Sequence, residues 1–341
     1  MDISSLKSYF AGLENSTQKI LLEDLTMISN QSEFNLLSIR EEQLNNKQGR
    51  CPHCSSIKYT RDGREKSGVQ RYRCKSCKRS FNSFSGTWLA KINKKELLVP
   101  YLKLMREGLS LDKTKAKLKI NKKTAFDWRH KIASSLSSIE KSKFEGITES
   151  DETFFLHSQK GSKNLLQKPR KRGKKAKVRG INNEHVATIV TMDRAKNIDL
   201  KVACLGRITK KDIAMAIGEK ISAQTVLCTD GHVSYKGFAI DNNLEHHVLR
   251  ADLKQHVKRK TYHIQHVNSA DSRLKTWIDR KMHGVATKYL QSYLNWFRFK
   301  EKYKDPEIIT KMINSALDSS GHVKFRNIEA EYEILLNPQS I

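Results

Sequence analysis

The chain has 341 residues, with 64 Lys or Arg against 36 Asp or Glu and a formal net charge of +28. Apolar residues make up 38% and charged residues 29%, which excludes a wholly disordered chain and leaves material for two or three domains. No apolar run approaches the roughly 18 residues a membrane span needs, and Met1-Asp2-Ile3-Ser4-Ser5 lacks a signal-peptide pattern. A cytoplasmic location with no membrane partner is therefore expected.

The charge is uneven, because residues 1–50 hold five Lys or Arg and seven Asp or Glu. The whole excess lies beyond them, which favours a nucleic-acid partner over a merely solubilising surface. Within residues 1–48, Leu6, Phe10, Leu13, Ile20, Leu21 and Leu25 recur at helical spacing. They predict one or two short helices, then a polar linker at Asn45-Asn46-Lys47-Gln48-Gly49.

Residues 49–90 carry Cys51-x2-Cys54-x19-Cys74-x2-Cys77. Two Cys-x-x-Cys knuckles at this spacing predict a zinc ribbon, with four thiolates around one structural Zn²⁺ and no position left for water. A disulfide framework is excluded for want of an oxidising compartment. Strands Tyr59-Thr60-Arg61 and Gln70–Arg73 are expected to flank a turn at Asp62-Gly63. The remaining cysteines, Cys204 and Cys228, sit alone in strand-like runs and are expected to be buried apolar residues.

Residues 91–140 predict three helices. The first is Lys94–Glu107, ended by Gly108; the second starts at Ser110 as N-cap; the third follows Asn121. Two short helices around a tight turn, the second rich in Lys, Arg and His, predict a helix-turn-helix. Ala125, Trp128 and Ile132 would be core, leaving Lys122, Lys123 and Arg129 to face a DNA groove.

From residue 145 the pattern turns to strands at Gly146–Phe155, Glu184–Met192, Ile198–Leu205, Thr225–Cys228 and His246–Leu249, with an amphipathic helix at Thr209–Ile221. Lys160–Gly180 holds ten Lys or Arg and no acidic residue. It predicts an exposed basic insert at 159–180, in which Arg170, Lys171, Arg172, Lys174 and Lys175 would clamp DNA backbone. This strand order matches a ribonuclease-H-like domain over 145–302. Asp151 lies in the first of these strands and Asp230 at the end of the fourth. Such carboxylates are costly unless something positive pairs with them, so a shared divalent metal working on phosphates is expected. Strand alternation puts Glu149 on Asp151's face, as a group that could support it, and turns Glu152 away. His232, just past Asp230, is expected to pack or hydrogen-bond. Asn268, Asp271 and Lys275 share one helical face. Tyr289, Tyr293, Trp296 and Phe297 are spaced as core, and residues 303–341 form a helical tail.

In order along the chain, Arg71-Tyr72-Arg73-Cys74-Lys75-Ser76-Cys77, Asp151-Glu152-Thr153, Thr229-Asp230-Gly231-His232, His266-Val267-Asn268, Ser272-Arg273-Leu274-Lys275-Thr276-Trp277 and His283–Leu290 resemble the bacterial insertion-sequence transposases with a zinc ribbon before a DDE-type catalytic domain. The resemblance implies a multidomain α/β protein: zinc ribbon and helix-turn-helix, then a ribonuclease-H-like catalytic domain. It implies a bacterial enzyme that binds an element's terminal repeats and performs cleavage and strand transfer, as a homo-oligomer on double-stranded DNA at the nucleoid. One branch of the family carries Asn at the third metal position with a Lys one or two turns later. On that pattern Asp151, Asp230 and Asn268 would hold two Mg²⁺ or Mn²⁺ ions, with Asp271 as the alternative third ligand and Lys275 at the scissile phosphate. An inactive DNA-binding derivative and a ribonuclease-H-like nuclease are the alternatives.

Overall fold

The computed structural model describes residues 2–22, 25, 36–46, 48–136, 143–165, 176–303, 307–318 and 325–337. The chain divides into two compact units. One comprises Met1–Glu107, Asp112–Lys122 and Ile309–His322; the other comprises Gly108–Leu111, Lys123–Ile308 and Val323–Ile341.

In the first unit, helix α1 (Ile3–Ala11) is capped by Asp2, whose carboxylate accepts from the Ser5 amide at 2.7 Å. Helix α2 (Leu36–Asn45) leads into a three-stranded sheet, β1 (Tyr59–Arg64), β2 (Gln70–Cys74) and β3 (Ser80–Asn82), in that order. Tyr59, Tyr72 and Phe81 pack edge-to-face and stacked at 5.4–5.7 Å, over Leu44 of α2. The Tyr59 hydroxyl donates to the Leu44 and Gly49 carbonyls at 2.8 and 2.9 Å. The expected linker is thereby fastened to the ribbon. Asp62-Gly63 is not the turn that was expected. Strand β1 runs through it, Gly63 takes φ +69, and the register shifts between Arg61 and Arg64. A glycine at positive φ there makes a bulge. The chain reverses further on, at Glu65–Val69, where the Gly68 amide donates to the Glu65 carbonyl.

Helix α3 (Leu98–Arg106) begins four residues later than expected, after a short 3-10 turn at Lys95–Leu97, whereas α4 (Leu111–Leu118) and α5 (Lys122–Ser135) occur where the sequence places them. Gly108 after α3 has φ +73, the left-handed conformation that ends many helices. Ala125, Trp128 and Ile132 are buried as expected. Arg129 is a correction: it does not face a groove. It is 2% exposed, donates to the Leu109 carbonyl at 2.6 Å and lies over the Trp296 ring at 5.5 Å. A guanidinium one position after Trp128 is carried into the helix's packed side, where an aromatic face and a carbonyl receive it.

The second unit is built on a five-stranded sheet of β4 (Ile147–Leu156), β5 (His185–Asp193), β6 (Ile198–Leu205), β7 (Val226–Thr229) and β8 (Glu245–Val248), in the order β6-β5-β4-β7-β8. The first three are antiparallel; β7 and β8 join parallel to β4. Crossover helices α6 (Lys210–Ile217) and α7 (Val233–Asp241) make the parallel connections. A Thr209–Asp212 capping box starts α6. Ile213, Ile217, Tyr235 and Phe238 of these helices pack with Ala187, Ile189 and Leu227 of the sheet. The alternate positions Val186 and Val190 are equally buried, on the sheet's opposite face. Helix α8 (Gln265–Thr276) lies against β4 and β5, and α9 (Thr287–Lys302) against β6. Tyr293, Trp296 and Phe297 of α9 are buried, so that aromatic stripe is packing. Helices α10 (Glu307–Asp318) and α11 (Phe325–Leu336) follow. No helix among the described residues is long and apolar enough to cross a membrane.

Candidate metal centres and active site

The four ribbon cysteines converge, with all Sγ atoms within 4.8 Å of one another. Cys51–Cys77 and Cys54–Cys74 are 3.7 and 3.6 Å apart. A tetrahedron with Zn–S bonds of about 2.3 Å has edges of about 3.8 Å, so the donor set fits zinc. The two knuckles repeat one local design. The residue after each second cysteine is left-handed, Ser55 at φ +60 and Lys78 at φ +61. The Cys51 amide donates to the Ser56 carbonyl, and the Cys74 amide to that of Arg79. Amides of Cys77 and Ser76 aimed at the Cys74 sulfur lower its thiol, while at Cys54 the Ser56 amide is outweighed by burial and the neighbouring sulfurs, which push that thiol up. The four thiols therefore share negative charge unevenly until a cation joins them. Cys228 is fully buried, its thiol pushed up by burial to about 11, and Cys204 is half-buried.

The second centre lies where the strand order reverses. Strand β4 starts paired to both β5 and β7, but the β7 pairing ends at Glu149↔Cys228 while β4 continues to Leu156. On an open α/β sheet the crevice that holds a site is expected there, beyond the carboxyl end of β7. Asp151 faces it from β4. Asp230 faces it from the turn after β7, where its Oδ1 accepts from the His232 amide at 2.9 Å. His232 serves that turn as the cap of α7, its Nδ1 accepting from the Ser234 amide.

Glu152 is present too, contrary to expectation. Its backbone position pairs with Ile189, on the sheet face opposite Asp151, as alternation requires. Because β7 has stopped, the longer Glu side chain still comes around. Oxygens of Asp151, Glu152 and Asp230 lie within 4.8 Å of one another. Helix α8 adds Asp271, 7% exposed, whose carboxyl is pushed up by burial first and by the Asp151 charge next, with Lys275 opposing both. Asn268 is exposed one turn earlier, and among the described contacts none joins its side chain to these carboxylates.

Burial first, then mutual repulsion, pushes these acids up. Asp151 rises to about 6, Asp271 to about 7 and Glu152 to about 8. Glu152 Oε2 and Asp271 Oδ1 are buried and make no hydrogen bond. A crowded, protonation-prone set of acids with unsatisfied oxygens fits a hard divalent cation, which would repay the burial and the repulsion together.

Glu149 forms a third cluster. It is 1% exposed; its Oε2 accepts from the His266 and Val267 amides at 2.9 and 3.1 Å, and its Oε1 lies 2.6 Å from Arg194 and 2.7 Å from His266 Nδ1. Glu149, His263 and His266 stand at metal-ligating spacing. The Arg194 guanidinium already supplies the cation there, so the cluster acts as a clamp. It binds the first turn of α8, whose amides have no helical partner, to the strand carrying Asp151. Sequence reasoning assigned no part to Arg194 or His263. Their one signal is that His263 and His266 stand on either side of a helix start at Gln265. Arg170, Lys171, Arg172, Lys174 and Lys175 lie outside the described residues.

A mixed sheet with acids gathered at its switch point, helices on both faces and a separate four-cysteine module is consistent with a ribonuclease-H-like domain joined to a zinc ribbon. Residues 143–302, the span of this sheet and its helices, match the family described as the ISXO2-like transposase domain. The chain thus carries a DDE-type transposase domain of that family behind its cysteine cluster. No curated protein matches the chain.

Proposed function

We propose that the protein is an insertion-sequence transposase that binds the element's terminal repeats and carries out metal-dependent cleavage and strand transfer. What carries this reading is the convergence of Asp151, Glu152 and Asp230, with Asp271 and Lys275 on the facing helix, inside a domain that matches a transposase family. Divalent ions held there would supply an activated hydroxyl and neutralise charge on the departing oxygen. The chain's own part is to hold the carboxylates on rigid elements and to set Lys275 where it can meet a scissile phosphate. For the third ligand, burial and an unsatisfied carboxylate oxygen favour Asp271 over the exposed Asn268. Glu152 is a further candidate ligand. The ribbon, the helix-turn-helix with Lys122 and Lys123, and the basic insert would hold double-stranded DNA, with two copies or more bringing the ends together.

The test is cleavage and joining on a supercoiled plasmid carrying the flanking DNA, with Mg²⁺ or Mn²⁺. The wild type is expected to join ends. Asp230→Ala and Asp271→Ala should lose activity by 100-fold or more, in the range that follows loss of a dominant charge-stabilising group (about 10² to 10³), while Asn268→Ala retains most of it. Activity lost in Asn268→Ala but kept in Asp271→Ala would return the third position to Asn268. Cleavage without joining would make the protein a nuclease, and DNA binding without cleavage an inactive derivative.

A further inference from the structure

A turn beside the carboxylate site is built from residues that suit its backbone badly. Lys258 and Tyr262 exchange backbone hydrogen bonds at 2.8 and 2.9 Å, closing a tight hairpin. The next two residues, Arg259 and Lys260, both have left-handed backbone, at φ +49 and +58. Consecutive positive φ values are what a type I′ turn demands, and Asn-Gly is the pair that meets the demand at least cost. Long guanidinium and amine side chains bring nothing to that conformation. They gain nothing from packing either, since Arg259 and Lys260 are exposed. Nor are they neutralised: among the described residues, Lys254, Lys258, Arg259 and Lys260 have no acidic partner within 4.0 Å. Arg250, by contrast, is paired with Asp252 at 2.6 Å.

The hairpin is nonetheless held firmly. The Tyr262 ring stacks on His247 at 3.6 Å. Arg194, the guanidinium bound to Glu149, also donates to the Thr261 carbonyl at 3.0 Å. At the near end of the segment Arg250 covers Gly231, where even a methyl group would come within 3.0 Å of its chain. The segment is thus tied at one end to the turn that carries Asp230 and at the other to the clamp on the Asp151 strand. Two unneutralised cations on a braced, strained turn, with Lys258 at its base and Lys254 earlier in the segment, are arranged to meet a polyanion.

We propose that the Arg259-Lys260 turn, flanked by Lys254 and Lys258, grips the phosphate backbone of the DNA strand next to the carboxylate centre. The assignment rests on the reading above that this domain acts on DNA. The grip is on phosphates, so it positions the strand without reading its sequence.

The turn itself supplies the test. Arg259→Asn/Lys260→Gly installs the pair that the backbone prefers and removes both charges. Arg259→Gln/Lys260→Gln removes the charges and keeps long side chains. Binding of a short labelled duplex of arbitrary sequence by the full chain is measured across a salt series, with the thermal midpoint of each variant alongside. We expect the slope of log K against log salt to become shallower by about 2 in both variants, because each phosphate left unneutralised keeps about one counterion. The Asn-Gly variant should also melt at or above the wild-type temperature. An unchanged slope in either variant would overturn the proposal and leave the transposase reading standing. A wild-type chain that binds no duplex at low salt would overturn both.

Discussion

At the scale of single residues, the acids in the crevice dictate how protons and metal are linked. Asp151, Asp271 and Glu152 titrate at about 6, 7 and 8, above the ordinary carboxylate range, so the metal-free fold takes up protons relative to the unfolded chain. Its stability should therefore fall as pH rises from about 4 to about 8 through these groups. A divalent ion must displace those protons, so its affinity should climb over the same upper range. Titrating Mn²⁺ into the protein should give a larger rise in thermal midpoint at pH 8 than at pH 6; equal rises would mean that these acids do not hold the ion. Arg129 yields a prediction of another kind. With its head on the Leu109 carbonyl and the Trp296 ring, Arg129→Ala should cost about 1–3 kcal/mol in stability. The salt dependence of DNA binding should not move, which a duplex-binding series would check. The sequence identifies Arg129 as basic but not as buried, because a helical face becomes core only when another element covers it.

At the scale of elements, α8 matters most, since it carries Asp271 and Lys275. Its position against β4 depends on Glu149, which accepts from two amides of its first turn and meets Arg194 and His266. Glu149→Ala would leave those donors and the guanidinium without their acceptor, at a cost of about 3–5 kcal/mol. Chemical denaturation would measure it; a change under about 1 kcal/mol would show that the clamp contributes little. The ribbon should behave differently, because its core of Tyr59, Tyr72, Phe81 and Leu44 is too small to stand alone and would lean on a zinc ion held by the four cysteines. Removing zinc with a chelator, or replacing Cys74 by Ser, should loosen residues 49–85 while the five-stranded sheet keeps its protection, as hydrogen exchange can follow. The strands themselves were legible because alternation and β-branched runs are local signals. The turn of the ribbon hairpin was misplaced, since a Gly after Asp serves a bulge as readily as a turn and only the pairing partner decides between them.

At the scale of the whole molecule, a basic chain with a four-cysteine ribbon and a DDE-type domain would, under the proposed function, join two kinds of work, electrostatic capture and metal chemistry. These differ in their response to salt. Raising salt should weaken duplex binding steeply, with a slope set by the number of phosphates neutralised, while Mn²⁺ binding at the buried acids should change far less. The sequence by itself marked the four cysteines that converge, the succession of strands and the two aspartates, because each rests on spacing or alternation along the chain or on a residue type costly to bury alone. Tertiary structure decided the rest. Glu152 joins the acids because the pairing of β4 with β7 ends three residues before it, at Glu149↔Cys228. Asp271 is buried where Asn268, one turn earlier, is exposed, on a helix whose first turn Glu149 holds against β4. Alternation and helical periodicity assign a side chain to a face; which faces meet, and where a neighbouring strand stops, depends on partners far away in sequence.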